Sequence, residues 1–213
     1  DSHYWPDVYA KDIDYLFHTT NRYFPNTDLC AEDVVSVWSG VRPLVGNPEG
    51  KTNEISRKDE VWEGPMGMLS IAGGKLSAYR AMAQRTVDRA IDILGIDANP
   101  CTTAKRPLPG GESIPHNPKT KLDKETQTRW ARLYGSEIDE VNALGTGLEA
   151  EVRYAVQVEG AVRLEDYWAR RSSRAWFDDL GGIASLEPAS RVMAEQLGWT
   201  EERRQQEVTH CLN

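Results

Sequence analysis

Ser70-Ile71-Ala72-Gly73-Gly74-Lys75-Leu76-Ser77-Ala78-Tyr79-Arg80 runs from a short apolar strand through paired glycines straight into a helical pattern, with cations in the first turns. The glycines carry no Cβ, so backbone there can come close to a ligand. The first N–H groups of a helix have no intrahelical acceptor and point at whatever lies in front of them. Together these make a receptacle for negative charge. It is not a nucleotide-triphosphate loop, because Lys75 is followed by Leu76 rather than Ser or Thr and the upstream glycine falls at the wrong spacing. Taken alone, the stretch reads equally well as a tight βα turn.

Upstream, the spacing predicts a helix over residues 11–23, with Ile13, Leu16, Phe17 and Thr20 on one face and Pro25 closing it. Residues 33–41, with Val34, Val35, Val37 and Val41 around Trp38, read as a strand. A Gly-, Pro- and Asn-rich turn over 46–53 follows. Residues 54–57 and Val61-Trp62 form a second strand region and 68–72 a third. Short strands joined by tight turns suit an antiparallel or mixed sheet rather than βαβ repeats. Leu76, Ala83, Val87, Ala90 and Leu94 then make a stripe down one long helix. Beyond a Pro- and Gly-dense stretch at 100–118 the pattern is helical throughout: 124–134, 149–162, 164–174 and 188–197, with Gly198 as a stop and Thr200 as the next N-cap. The fold class is therefore α+β, a mixed or antiparallel sheet fragment followed by an all-α domain. The expected division is a first domain over 1–95, a linker over 96–118 and a helical domain over 119–213.

The formal net charge is −8 over 213 residues, spread evenly along the chain, so no basic half exists to track a polyanion and nucleic acid is an unfavourable partner. Cys30, Cys101 and Cys211 are odd in number and far apart, which suits a reducing compartment and supplies no disulfide or zinc framework. The four histidines never fall at ligand spacing, so no metal is expected. No apolar run is long enough to span a bilayer, and no secretory signal is evident. Asp1-Ser2-His3-Tyr4-Trp5-Pro6 reads like the middle of a loop, as in a piece of a longer protein.

Two arginines give the glycine turn company. By strand alternation Arg42 shares a face with Trp38 and Gly40, and Arg57 stands across the short 46–53 turn. If those segments pair, two guanidinium forks converge on one anion, and the rigid fork of Arg suits phosphate or carboxylate oxygens. The plainer alternative is a solvated face with each arginine paired to a neighbouring carboxylate.

The ordered set Asp14-Tyr15-Leu16, Asn21-Arg22-Tyr23-Phe24-Pro25, Asp33-Val34-Val35-Ser36, Ser39-Gly40-Val41-Arg42-Pro43-Leu44, Ile55-Ser56-Arg57, Gly73-Gly74-Lys75-Leu76 and Tyr79-Arg80 resembles the later half of the FAD-dependent, quinone-linked glycerol-3-phosphate dehydrogenases. The likeness continues through Pro107-Leu108-Pro109-Gly110-Gly111, Leu133-Tyr134-Gly135, Glu151-Val152-Arg153-Tyr154-Ala155-Val156 and Arg170-Arg171, and is vaguest over 120–128.

The resemblance implies oxidation of sn-glycerol 3-phosphate to dihydroxyacetone phosphate, with electrons passing through FAD to membrane quinone. It implies that Arg42 and Arg57 bind the substrate phosphate. It further implies that Gly73, Gly74, Lys75, Leu76 and Ser77 line the isoalloxazine ring, with Lys75 catalytic. A helix start and Lys75 would oppose the negative charge that reduction leaves on the ring. Where the family commonly has Thr-Thr, this chain has Ser77-Ala78: one hydroxyl is kept and the other is absent.

The GxGxxG dinucleotide fold with which family members open is missing from this sequence, so the FAD site is incomplete and the isolated chain is expected to be inactive. Oxidase relatives that reduce oxygen carry a long insertion between the segments holding Arg42 and Arg57. The short 46–53 turn favours a dehydrogenase, with the oxidase as the alternative. A non-catalytic helical interaction module is the alternative of a different class. The mixed aromatic and cationic segments around Trp168 and Trp176 read as ordinary packing, and peripheral membrane contact and a homodimer are left open. The expected location is cytoplasmic, including the inner face of the cell membrane.

Overall fold

The computed structural model describes residues 6–41, 59–112 and 122–212. It divides into two compact units, one over Gly40–Pro107 and the other made of Trp5–Ser39 with Leu108–Asn213. Helix α1 (Ala10–Tyr23) opens the second unit, with Tyr9 N–H donating back to Asp12 Oδ2 at 3.1 Å. Ile13, Phe17 and Thr20 are half-buried and Leu16 is exposed, so the predicted face is mostly the one that packs. Asn21 closes the following loop with both ends of its amide: Nδ2 donates to Leu29 O and Oδ1 accepts from Leu29 N–H, each at 2.9 Å.

The strand expected over 33–41 is a correction. Ala31–Asp33 is a 3-10 turn, and residues 34–41 form no strand. Instead Val35 O accepts the Leu180 N–H at 3.0 Å, and Ser36 Oγ donates to Ala175 O at 3.3 Å. β-branched residues favour a pleated surface only where one is offered, and here a helical loop takes the ladder's place.

In the first unit, β1 (Asp59–Glu63) and β2 (Leu69–Gly73) form an antiparallel hairpin with Asp59 opposite Gly73 and Glu63 opposite Leu69. The predicted strand over 68–72 thus appears one residue later, whereas residues 54–57 lie outside the described residues. Helix α2 (Tyr79–Leu94) follows, ended by Gly95 in the left-handed region at φ 62°. No residue of α2 is buried, and Leu76, Val87 and Leu94 of the predicted stripe are exposed.

The rest of the second unit is all-α: α3 (Lys124–Leu133), α4 (Ile138–Asn142), α5 (Gly147–Gln157), a π-helical turn (Asp166–Arg171), α6 (Arg174–Phe177), α7 (Leu186–Leu197) and α8 (Glu201–Leu212). The helix predicted over 149–162 ends five residues early, and Gly160 at φ 68° lets the chain turn so that Ala161 N–H donates to Ala155 O at 2.8 Å. Gly198 at φ 67° and Thr200, whose Oγ1 accepts the Arg203 N–H at 3.2 Å, mark the α7–α8 junction as the sequence predicts.

Helix α5 is the central element because it is apolar on two sides. Val152 and Ala155 join Leu164, Tyr167, Leu186 and Met193 in one core. Ala150 and Tyr154 join Trp130, Tyr134, Ile138 and Val141 in another. Tyr134 meets Tyr154 edge-on at 5.3 Å between centroids, and aromatic pairs of this kind add about 0.5–1.5 kcal/mol beyond their buried area. A small antiparallel sheet with a helix, and a separate helical unit, together give the α+β class expected.

Candidate functional site

The glycine turn sits where β2 gives way to α2. Gly73 and Gly74 have φ of 79° and 78°, a region that L side chains rarely adopt. A Cβ on Gly74 would stand 2.7 Å from Met82 Sδ and 3.1 Å from Asp59 Cβ, so the space is already taken on the inner side. The outer side is open: Lys75, Leu76 and Ser77 are exposed, Leu76 to 90%.

The α-helix does not start at once, as the sequence suggests. Lys75 is extended, Leu76–Ala78 make a 3-10 turn with Ala78 N–H donating to Lys75 O at 2.8 Å, and α-helical geometry begins only at Tyr79. The first turn therefore begins with Leu76 and Ser77, close to the glycines, and first-turn N–H groups have no acceptor within their own helix. The Lys75 ammonium, the first-turn N–H groups and the Ser77 hydroxyl thus follow directly on two glycines, a combination suited to a group that takes up negative charge.

Arg80, in the same motif, is committed elsewhere. Its Nη1 donates to Gln84 Oε1 at 2.8 Å and to Thr103 Oγ1 at 3.2 Å. Thr103 also bonds Cys101 Sγ at 3.1 Å, and that bond draws the exposed thiol below its ordinary value. Arg42 and Arg57, the predicted phosphate ligands, lie outside the described residues.

The helical unit holds a polar cluster that the sequence reading missed. Glu151, on α5 and 2% exposed, accepts from Arg129 Nε at 2.9 Å, Trp130 Nε1 at 2.9 Å, Arg174 Nη2 at 3.0 Å and Tyr167 Oη at 3.2 Å. Burial alone would raise its carboxyl; Arg129, Arg174 and Trp130 together outweigh that and hold it below the ordinary carboxylate range. The one available signal was a Glu flanked by Ala150, Val152 and Ala155 on an apolar helix face. With every oxygen engaged, Glu151 has no capacity left for a substrate, and its role is architectural.

A cavity of about 890 Å³ lies elsewhere in the same unit, lined by residues 34–39, Trp168, Trp176 and Ile183 among others. Of its three indoles, Trp168 donates Nε1–H to Gly181 O at 2.9 Å and Trp176 donates Nε1–H to Ala169 O at 2.7 Å. Among the described residues no group of His, Cys, Asp and Glu could hold a metal ion, and no helix is long and apolar enough to cross a membrane.

Comparison with known proteins bears on both units. Residues 101–204 match the family described as the C-terminal domain of alpha-glycerophosphate oxidase. The aerobic glycerol-3-phosphate dehydrogenases of Staphylococcus aureus strains USA300 and NCTC 8325 are each 31% identical over 223 aligned positions, taking in 92% of this chain and 40% of the relative. The crystal structure of the Bacillus halodurans glycerol-3-phosphate dehydrogenase complexed with FAD superposes with a TM-score of 0.70 at 29% identity, covering 97% of this chain and 45% of that one. Fold and sequence thus liken this chain to one part of the glycerol-3-phosphate dehydrogenases, its helical unit to their C-terminal domain. The chain is similar to the aerobic glycerol-3-phosphate dehydrogenases over nearly its whole length, and it spans about 40% of the length of the curated relatives it matches.

Proposed function

We propose that this chain supplies the substrate-gripping and flavin-facing end of an enzyme that oxidises sn-glycerol 3-phosphate to dihydroxyacetone phosphate, working together with an upstream dinucleotide-binding half. The observation that carries the reading is the glycine-opened turn, free on its outer edge, in a chain that aligns over 92% of its length with a glycerol-3-phosphate dehydrogenase. FAD would be the cofactor and, when bound, would supply a two-electron acceptor for the substrate carbinol and a route onward to quinone. The turn fits its ring: Gly73 and Gly74 present bare backbone, while Lys75 and the N–H groups of Leu76 and Ser77 supply positive charge. Donors aimed in this way are worth about 3 kcal/mol each in a water-excluded site.

Arg42 and Arg57 bind the substrate phosphate and hold the carbinol in place, so that binding energy from the phosphate end orients the reacting carbon. Ser77 keeps one hydroxyl toward the ring, and Ala78 contributes none. The division into 1–95, a linker over 96–118 and a helical domain over 119–213 belongs to the same proposal, with the helical domain as a cap open to subunit or membrane contact. The few residues of sequence between the segments holding Arg42 and Arg57 favour quinone over oxygen as acceptor.

The test is to produce this chain together with the upstream half of the Staphylococcus aureus relative. Bound flavin and reduction of a dye by glycerol 3-phosphate support the proposal. Two soluble pieces that ignore each other favour a helical interaction module, and peroxide formed under air with no reduction of a quinone analogue favours an oxidase.

A further inference from the structure

The geometry points to Asp59 and Arg85 as a positioning pair that sets where the Gly73-Gly74-Lys75 turn stands, and through it the environment of the bound ring. The inference rests on the proposal that this turn faces the flavin. Asp59 is the first residue of β1 and stands in register opposite Gly73, the last residue of β2. Its methylene closes one side of Gly74: a Cβ built there would stand 3.1 Å from Asp59 Cβ, with Met82 of α2 on another side at 2.7 Å. Its carboxylate is paired with the Arg85 guanidinium, three residues beyond Met82 on the same helix. One residue therefore touches the end of the hairpin, the inner side of the turn and the helix that follows.

The energetics favour positioning over stabilisation. Arg85 is 53% exposed, and an ion pair so open to water contributes little to folding. Its effect is instead directional. The Arg85 bond also holds the Asp59 carboxyl below the ordinary carboxylate range, so the pair stays charged through the neutral range. A second pair, Arg89 with Glu63 at 3.6 Å, ties the far end of β1 to α2 and leaves the turn alone. It is an internal control of the same chemistry in another place.

The experiment uses this chain joined to an upstream flavin-binding half, with Asp59→Ala, Asp59→Asn, Arg85→Ala, the Asp59→Ala/Arg85→Ala double variant, Glu63→Ala and, as a direct probe of the turn, Gly74→Val. The readouts are the visible absorption of bound flavin and the separate values of kcat and KM. Displacing a reacting geometry by about 1 Å can cost up to about 100-fold, so Asp59→Ala and Arg85→Ala should each lower kcat about 10-fold and perturb the flavin spectrum, with KM changed less than about twofold. The double variant should be no worse than either single one, since both remove the same contact. Asp59→Asn, which keeps the methylene and one acceptor, should recover most of kcat, and Glu63→Ala should resemble the parent.

If Gly74→Val alters the flavin while Asp59→Ala and Arg85→Ala do not, the pair has no positioning role and this inference is overturned. If Gly74→Val also leaves the flavin untouched, the turn does not face the ring, and the functional proposal falls together with this one. Should Asp59→Ala fail to fold, Arg85→Ala at its exposed position decides the matter alone.

Discussion

Glu151→Gln is the substitution whose cost can be worked most fully from the structure. The amide keeps the shape of the carboxylate and can still accept from Trp130 Nε1, but it removes the charge between Arg129 and Arg174. Breaking a buried pair by deleting one partner costs about 3–5 kcal/mol, because the remaining charge is stranded. Here the stranded cations keep some compensation: Arg174 Nη1 stays 2.7 Å from Asp178 Oδ2, and Arg129 Nη1 is 3.9 Å from Asp178 Oδ1. That places the loss at the lower end, about 3 kcal/mol. With a urea m-value of about 2 kcal/mol/M, the midpoint should fall by about 1.5 M at unchanged m. Tryptophan fluorescence and far-ultraviolet circular dichroism should report the same transition, since Trp130 sits in the affected core. A midpoint within about 0.2 M of the parent would mean that Glu151 is not the keystone its contacts imply.

Acid should act on the same unit through Glu151, Glu187 and Glu201, whose carboxyls the structure lowers. Arg204 draws down Glu187 and takes Glu201 from 4.5 to about 2. A lowered carboxyl contributes stability above its unfolded value and loses it as pH falls through the folded one. The melting temperature should therefore hold above about pH 5 and drop between there and about pH 2, and Arg204→Met should flatten that drop. Glu159 has the opposite sign: burial raises its carboxyl, and its Oε2 is buried with no partner among the described residues. Glu159→Gln should raise the melting temperature at pH 7 by about 2–4 °C, and a lower value would contradict that reading. In the flavin-loaded, joined protein, Arg42→Ala should raise KM for glycerol 3-phosphate by about 100-fold; an unchanged KM would remove Arg42 from the site.

The sequence was most legible where one residue type answers one local demand. Gly73, Gly74 and Gly198 take backbone conformations that other residues rarely adopt, and Thr200 caps α8 with its own hydroxyl. It was least legible where the outcome depends on distant partners. The valines of 33–41 signal a strand, yet Leu180 and Ala175, far along the chain, decide how that segment is held. Glu151 draws Arg129 from 22 residues before it and Arg174 from 23 after it, distances over which no periodicity speaks. The 3-10 start of the helix after Lys75 has no composition signal either, although it sets where the first turn begins. The α2 stripe was read correctly as apolar, but its exposed face shows that amphipathicity predicts a surface to be covered and does not name its cover.

The central claim is that positive charge at a glycine-opened turn meets the ring where electrons arrive. The direct measurement is the midpoint potential of bound flavin in the joined protein, comparing the parent with Lys75→Met. Loss of a cation that favours the reduced ring by about 1.4 kcal/mol should make the two-electron potential about 30 mV more negative. A potential that does not move would place Lys75 away from the ring and contradict the account.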